Sequence, residues 1–244
     1  MAPLLAKFST VPLIFIIQAL ATGIAARRAA RLQQLHSQRS IHIILLTLAL
    51  WGICISWLAL SGALAESSFL NTYPAIWMPF VPVVLTITII ALFPEALSSI
   101  RSLIDATAMQ WLIAIHALRI LAIGGIIKAL RGEFPVSFAT WVGGPDFLFG
   151  LSAVVVSWLV IKKRIGTWGL IVWNAIGVLV ILPAAPLVGQ MGLPGLLHGI
   201  DETPSSEALF AFPMVLAPAL VVPVFVMINM FVAFRLIERA MESK

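Results

Sequence analysis

The sequence predicts an all-α membrane protein, a single integral membrane domain over residues 1–244 that crosses the bilayer seven times. Hydrophobic residues make up 61% of the 244 residues and charged residues only 10%, whereas a soluble domain averages about 25% charged residues. The mean hydropathy is +1.08, so lipid rather than water is the expected solvent. The charged residues also gather at the ends of the apolar segments, as they do in polytopic membrane proteins.

Seven apolar segments approach the length of about 20 residues that a spanning helix needs. They lie at about 9–26, 41–65, 74–94, 108–130, 146–161, 167–187 and 208–234, and the fifth is the shortest. The first segment resembles a signal peptide, but Arg27, Arg28 and Arg31 follow it at once. Basic residues in that position favour a retained helix whose far end stays in the cytoplasm.

The basic residues predict the orientation of the bundle. With the N-terminus outside and the C-terminus inside, the inner ends of the segments carry eleven basic residues and the outer ends three. The inner set is Arg27, Arg28, Arg31, Arg39, Arg101, Lys162, Lys163, Arg164, Arg235, Arg239 and Lys244, and the outer set is Lys7, Lys128 and Arg131. This bias indicates the inner membrane of a bacterial-type cell. It also explains the net charge of +5 without nucleic acid as a partner.

Two connections have more structure than simple turns. Residues 94–108, "PEALSSIRSLIDATA", space apolar residues at helical intervals, which predicts a cytoplasmic interfacial helix that runs into the fourth span. Residues 132–147, "GEFPVSFATWVGGPDF", mix aromatic residues with Gly-Gly-Pro. We expect that segment to re-enter the membrane as non-helical backbone covered by protein.

The fourth span carries two polar side chains near its middle, His116 and Arg119. They are three residues apart and therefore share one helix face, which Asp105 joins if the helix extends that far. A central arginine costs about 2.5–3.5 kcal/mol on insertion scales, so it is expected to face the bundle interior and to find an acceptor. Asp146 is the best candidate, provided that the preceding loop is re-entrant and carries it below the surface.

Two readings of this constellation stay open. In the first, Arg119 and His116 bind an anionic or hydrogen-bonding small molecule, Asp146 is the counter-ion, and Asn174 and Asn229 add amides from the sixth and seventh spans. In the second, the same groups only lock the helices together. The prolines of the later spans likewise indicate either hinges around a substrate or static kinks.

From Arg119 onward the chain resembles a family of bacterial multi-pass membrane proteins of unknown activity. The resemblance lies in Arg119, in "FPVSFATWVGGPDFLFGLSA" at 134–153, in Trp173-Asn174 with Gly177, and in the proline-rich last helix. In that family an acidic residue often follows the Trp-Asn-Gly element and a histidine often lies in the last helix. Val180 and Asn229 stand near those places here, which argues against shared metal or proton chemistry. The resemblance implies a fold and supplies no activity.

Three functions follow from these observations. The first is a membrane protein that binds or translocates a small molecule between helices 4–7. The second is a membrane subunit or assembly factor that acts through a partner protein or a second copy of the chain. The third, weaker one is an enzyme that acts on a lipid or a quinone. The sequence identifies no cofactor: it lacks a phosphate-binding Gly-rich loop, HExxH and paired cysteines, and its last span has no lysine for retinal.

Overall fold

The computed structural model describes residues 9–32, 57, 60, 63–64, 77–193, 197 and 203–242. These residues form helices joined by turns, and no strand occurs among them. In chain order the helices are α1 Val11–Leu32, α2 Phe80–Leu92, α3 Pro94–Ala106, α4 Met109–Leu130, α5 Val136–Ile161, α6 Thr167–Leu179, α7 Ala184–Val188, α8 Glu207–Phe210 and α9 Ala217–Glu242.

The described helices confirm the all-α class. Five of them are long and apolar enough to cross a membrane: Val11–Leu32, Met109–Leu130, Val136–Ile161, Thr167–Val188 and Ala217–Glu242. The chain has a sixth candidate span if α2 and α3, between which it bends by 113°, are counted together as one broken span. Of the predicted span at 41–65, only residues 57, 60 and 63–64 are among the described residues. The total of seven and the orientation therefore stay predictions.

The ends of several predicted spans differ from the structure. Within the span predicted at 74–94, the helix covers only Phe80–Leu92. The helix predicted at 9–26 continues to Leu32 and includes its arginines. The span at 167–187 is regular only to Leu179, because Pro183 has no N–H for the Leu179 carbonyl four residues earlier. The last span, predicted at 208–234, begins with the short helix α8 and is continuous only over Ala217–Glu242.

The expected re-entrant loop at 132–147 is wrong. From Val136 onward the chain is helical, and it passes through a π-helical turn at Ala139–Gly143 into the remainder of α5. Pro145 removes one N–H from the helix, which the wider turn accommodates. Leaving many backbone groups unpaired at membrane depth would cost far more than this single hydrogen bond. The fifth span is therefore 26 residues long and not the shortest.

The predicted amphipathic helix at 94–108 is present as α3, which starts with Pro94 in the first turn, where a missing N–H is harmless. It does not run into α4, because the backbone is extended at Thr107 and Ala108. Asp105 consequently does not join the face of His116 and Arg119. It forms ion pairs with Arg235 at 2.7 Å and with Arg239 at 2.6 Å.

These ion pairs lie at one end of the bundle, which we call the basic end. Arg101 pairs there with Glu238, and Arg235 also reaches Glu238 at 3.1 Å, so α3 is tied to the end of α9. Ala26 and Ala29 of α1 pack against α3 at the same end. The turn after α5 lies nearby, because Ser157 donates to the Gln110 carbonyl at the start of α4. The described members of the predicted inner set of basic residues thus share one end.

The central helices pack closely because small residues lie at their crossings. At Gly150 of α5, a Cβ would lie 2.5 Å from the backbone nitrogen of Ile120 in α4. At Gly177 of α6, a Cβ would lie 2.5 Å from the side-chain nitrogen of Asn229 in α9. Close backbone approach through small residues is the usual way in which helices associate in lipid. Both glycines border the buried polar groups described below.

The proline in α9 leaves a carbonyl free, and a side chain from a distant part of the sequence donates to it. Pro223 has no N–H for the Ala219 carbonyl four residues earlier. The indole nitrogen of Trp57 donates to that carbonyl at 2.8 Å. Gln18 of α1 donates to the neighbouring Val221 carbonyl at 3.1 Å. The carbonyl that Pro223 leaves free therefore has a donor, and the choice between hinge and static kink stays a prediction.

Candidate functional site

The middle of α4 winds more tightly than an α-helix. Residues Ile115–Ala122 form a 3₁₀ helix between two α-helical segments. With three residues per turn, side chains at positions i and i+3 eclipse one another. His116 and Arg119 therefore lie one directly above the other on the same side of α4, and both are completely buried. Long 3₁₀ segments in mid-helix are uncommon and often mark strain or a functional hinge.

Arg119 is held by two neighbouring helices. Its Nε donates to Asp146 of α5 at 2.5 Å, and one terminal nitrogen, Nη1, donates to the Gly177 carbonyl of α6 at 3.2 Å. The expected pairing of Arg119 with Asp146 is thus present, although a helix and not a loop carries Asp146 to this depth. The other terminal nitrogen, Nη2, is buried without a hydrogen-bond partner among the described residues.

An aromatic stack covers the guanidinium. The carbon Cζ of Arg119 lies 4.3 Å from the ring centroid of Phe149, which in turn stacks on Trp173 at 4.4 Å. The Trp173 indole nitrogen donates to the Ser152 hydroxyl at 3.0 Å, and that hydroxyl donates to the Phe149 carbonyl. The first of these bonds orients the Trp173 ring, on which Phe149 stacks. A guanidinium over an aromatic face in a desolvated place gains about 2 kcal/mol.

His116 is enclosed by aromatic rings. The centroids of Phe149, Trp173 and Phe225 lie 5.9, 5.6 and 5.5 Å from its ring centroid. Both ring nitrogens are buried, and neither has a hydrogen-bond partner in the described part of the chain. Buried polar atoms are rarely left in this state, because an unmade hydrogen bond costs about 1–3 kcal/mol.

The two predicted amides lie on helices beside Arg119. Asn174 of α6 donates from Nδ2 to the Leu170 carbonyl at 2.8 Å, and its Oδ1 has no partner among the residues described. Asn229 of α9 lies against Gly177, whose carbonyl binds Arg119. Neither Oδ1 nor Nδ2 of Asn229 has a described partner. Both amide side chains are fully buried.

We call His116, Arg119, Asp146, Asn174 and Asn229 the polar cluster. It draws its members from the four helices α4, α5, α6 and α9 and contains every residue that the sequence nominated as ligand-binding. A binding role for them stays a prediction. The arrangement leaves six buried polar atoms without described partners: Nδ1 and Nε2 of His116, Nη2 of Arg119, Oδ1 of Asn174, and both amide atoms of Asn229.

Sequence reasoning missed the residues that surround the polar cluster. Phe149, Trp173 and Phe225 form its aromatic walls, and Gly150 and Gly177 bring its helices together. The sequence does contain a sign that Phe149 and Gly150 belong to this site. They follow Asp146 by three and four residues, which places all three on one helix face. The predicted span at 146–161 contains that spacing, but helical spacing does not say against which helix the face packs.

Each helix that contributes to the polar cluster departs from α-geometry nearby. The 3₁₀ segment of α4 contains His116 and Arg119. The π-helical turn of α5 ends three residues before Asp146, and α6 loses its regularity after Leu179. A second π-helical turn, Ala217–Val221, opens α9. Such irregular turns occur frequently at functional sites.

Comparison with known proteins yields a family and no individual relative. Residues 95–237 match the model of a family described as "Domain of unknown function (DUF8737)". No curated protein and no solved structure matches the chain. The matched region begins in α3 and ends in α9, so it includes the entire polar cluster. At the basic end it includes both partners of the Arg235–Asp105 ion pair, whereas Glu238 and Arg239 lie just beyond it. Because the match covers more than half of the chain, the protein belongs to the DUF8737 family, a family of unknown function.

Proposed function

We propose that this protein binds a small molecule at the polar cluster and carries it across the inner membrane of a bacterial-type cell, with the N-terminus outside and the C-terminus inside. The observation that carries the proposal is the set of six buried polar atoms on α4, α6 and α9 without described partners, one of which is Nη2 of the fully buried Arg119. In a low-dielectric interior such atoms are costly unless something binds them.

The irregular helices support translocation over simple storage. Transporters commonly bind their substrates near the bilayer midplane, between helices whose regular geometry is interrupted. All four helices of the polar cluster have such an interruption close to it. The 3₁₀ segment of α4 and the π-helical turn of α5 lie inside their helices, where one part of the helix can move relative to the other.

Native mass spectrometry of the protein extracted from its membrane in nanodiscs tests the proposal. We expect a small-molecule adduct on the wild-type protein and its loss in Arg119→Gln. Arg101→Gln is the matched control, since Arg101 also pairs with a carboxylate but lies partly exposed at the basic end. Melting temperatures of the same samples show whether either variant is misfolded. An adduct retained by a folded Arg119→Gln variant would contradict the assigned site.

A second function is favoured by the pairing of Arg119. Two of its three nitrogens already have protein acceptors, as expected if the polar cluster only locks four helices together. The protein would then serve as a membrane subunit or assembly factor in a larger complex. That alternative predicts a stoichiometric protein partner, or a second copy of the chain, in the native mass spectrum and no small-molecule adduct that depends on Arg119.

A further inference from the structure

The polar cluster carries its own counter-ion, and this limits the charge of what it binds. Arg119 is the only charged residue among the described residues that are fully buried, and Asp146, with 16% of its side chain exposed, pairs with it at 2.5 Å. The two charges cancel within the site. An anion would have to compete with Asp146 for the guanidinium, and a cation would have to compete with Arg119 for the carboxylate. Either competition leaves one charge without a partner in a medium where that is expensive.

The hydrogen-bonding atoms that remain are balanced between donors and acceptors. Nη2 of Arg119 and Nδ2 of Asn229 are donors, whereas Oδ1 of Asn174 and Oδ1 of Asn229 are acceptors. The amide of Asn174 is oriented by its bond to the Leu170 carbonyl, which requires its nitrogen. A neutral imidazole at His116 adds one donor and one acceptor. A protonated ring would place a second positive charge beside Arg119 with no carboxylate left to balance it.

We infer that the polar cluster takes an uncharged molecule that both donates and accepts hydrogen bonds, such as a carboxamide, and discriminates against carboxylates of the same shape. This inference rests on the proposed function and narrows its substrate class. Asp146 is the specificity-determining residue in this view, because it occupies the side of Arg119 that an anion would otherwise take. The charge-neutral ligand makes use of Nη2 and leaves the ion pair intact.

Matched amide and carboxylate probes test the inference directly. We would titrate acetamide against acetate, and benzamide against benzoate, into the detergent-solubilised full chain at pH 7.5 by isothermal calorimetry. We expect the wild-type protein to bind at least one amide with an affinity at least ten-fold higher than that of its carboxylate. In Asp146→Asn, which keeps the shape of the side chain and removes its charge, we expect this preference to reverse by ten-fold or more.

The outcomes separate this inference from the function on which it rests. Wild-type protein that prefers a carboxylate, in a manner lost in Arg119→Gln, would overturn the uncharged class while supporting small-molecule binding. Binding of none of the four probes would overturn the inference in this form, and the native mass spectrum then decides the function separately. Because Asp146→Asn could fail to fold, the wild-type comparison alone is sufficient to contradict the preference for amides.

Discussion

Arg119 of α4 and Asp146 of α5 form an ion pair at 2.5 Å inside the helix bundle, with the arginine side chain completely shielded from solvent. The pair joins helices whose backbones already touch at Gly150, one turn beyond Asp146. Charge pairing and close packing therefore act on the same interface.

Substitutions of Arg119 and of Asp146 should have non-additive effects on the free energy of unfolding, because the two residues pair with each other. We expect Arg119→Gln and Asp146→Asn each to lower the free energy of unfolding by about 3–5 kcal/mol, because each leaves a buried charge without its partner. The double variant should lose less than the sum of the two. Unfolding in mixed detergent micelles measures all three values. Additive losses would show that the two residues do not stabilise the fold through each other.

The contact at Gly150 should tolerate no side chain. A Cβ there would lie 2.5 Å from the Ile120 nitrogen and 2.9 Å from the Arg119 carbonyl carbon, and both are backbone atoms that cannot rotate away. We expect Gly150→Ala to destabilise the protein by about 1–3 kcal/mol or more through overpacking. Gly124→Ala in α4 is the control, because nothing lies within 4 Å of its Cβ position. It should be neutral or stabilise by up to about 1 kcal/mol through helix propensity.

His116 should contribute to binding at the expense of stability. Its two nitrogens have no described partner, so replacing it with an apolar side chain removes a desolvation penalty. We expect His116→Leu to leave the melting temperature in detergent unchanged or to raise it, while it weakens binding of the small molecule. A drop in melting temperature comparable to that of Gly150→Ala would instead assign His116 a structural hydrogen bond.

The hydrogen bond from Trp57 to the carbonyl that Pro223 leaves free should stabilise α9. Trp57→Phe removes the donor to the Ala219 carbonyl and should cost about 1–3 kcal/mol for the unsatisfied acceptor. Pro223→Ala supplies a backbone N–H four residues after Ala219, so the loss caused by Trp57→Phe should be smaller in that background. Thermal unfolding of the two single variants and the double variant measures this. An undiminished loss would mean that Trp57 acts through its ring packing alone.

The ion pairs of the basic end should make stability depend on acid. Burial raises the pKa of Asp105, but the hydrogen bond from Arg235 and the charges of Arg239 and Arg235 outweigh it, so the pKa lies below its ordinary value of 3.8. A lowered pKa stabilises the folded protein above the unfolded pKa, and this contribution is lost as the pH falls through the folded pKa. We expect the melting temperature to fall in that range.

Two variants test whether Asp105 is the source of this acid dependence. Asp105→Asn should have a lower melting temperature at neutral pH and a flatter decline below pH 4. Glu95→Gln changes an exposed carboxylate on the same helix that forms no ion pair with the described residues. It should retain the wild-type profile. If Asp105→Asn retained that profile as well, the attachment of α3 to α9 would not depend on this carboxylate.

The sequence predicts the membrane class and the Arg119–Asp146 pair because lipid imposes strict rules on both. Apolar length identifies a spanning helix, and an arginine at that depth requires an acceptor of which few exist. The route by which Asp146 reaches this depth was mispredicted, since Gly-Gly-Pro usually interrupts a helix. In α5 the π-helical turn absorbs the proline and keeps the backbone paired. That compensation is a local geometric adjustment that residue types do not specify.

The contacts between distant segments were beyond prediction from one sequence. A continuous helix from Asp105 to Arg119 would place both residues on one face. Because the backbone is extended at Thr107, Asp105 instead lies beside Arg235 and Arg239. The partner of the Ala219 carbonyl, Trp57, lies 162 residues away in the chain. Helical periodicity describes neighbours within one helix and contains no information about which helices cross.

The 3₁₀ segment Ile115–Ala122 also sets the height of α4. Its rise of about 2.0 Å per residue, compared with about 1.5 Å in an α-helix, makes α4 roughly 4 Å longer than the same number of residues in regular form. That increment is comparable to the differences in hydrocarbon thickness between natural bilayers. The turn that aligns His116 with Arg119 therefore also determines how much hydrocarbon α4 can span, and a change in bilayer thickness would act on the same eight residues that carry both side chains.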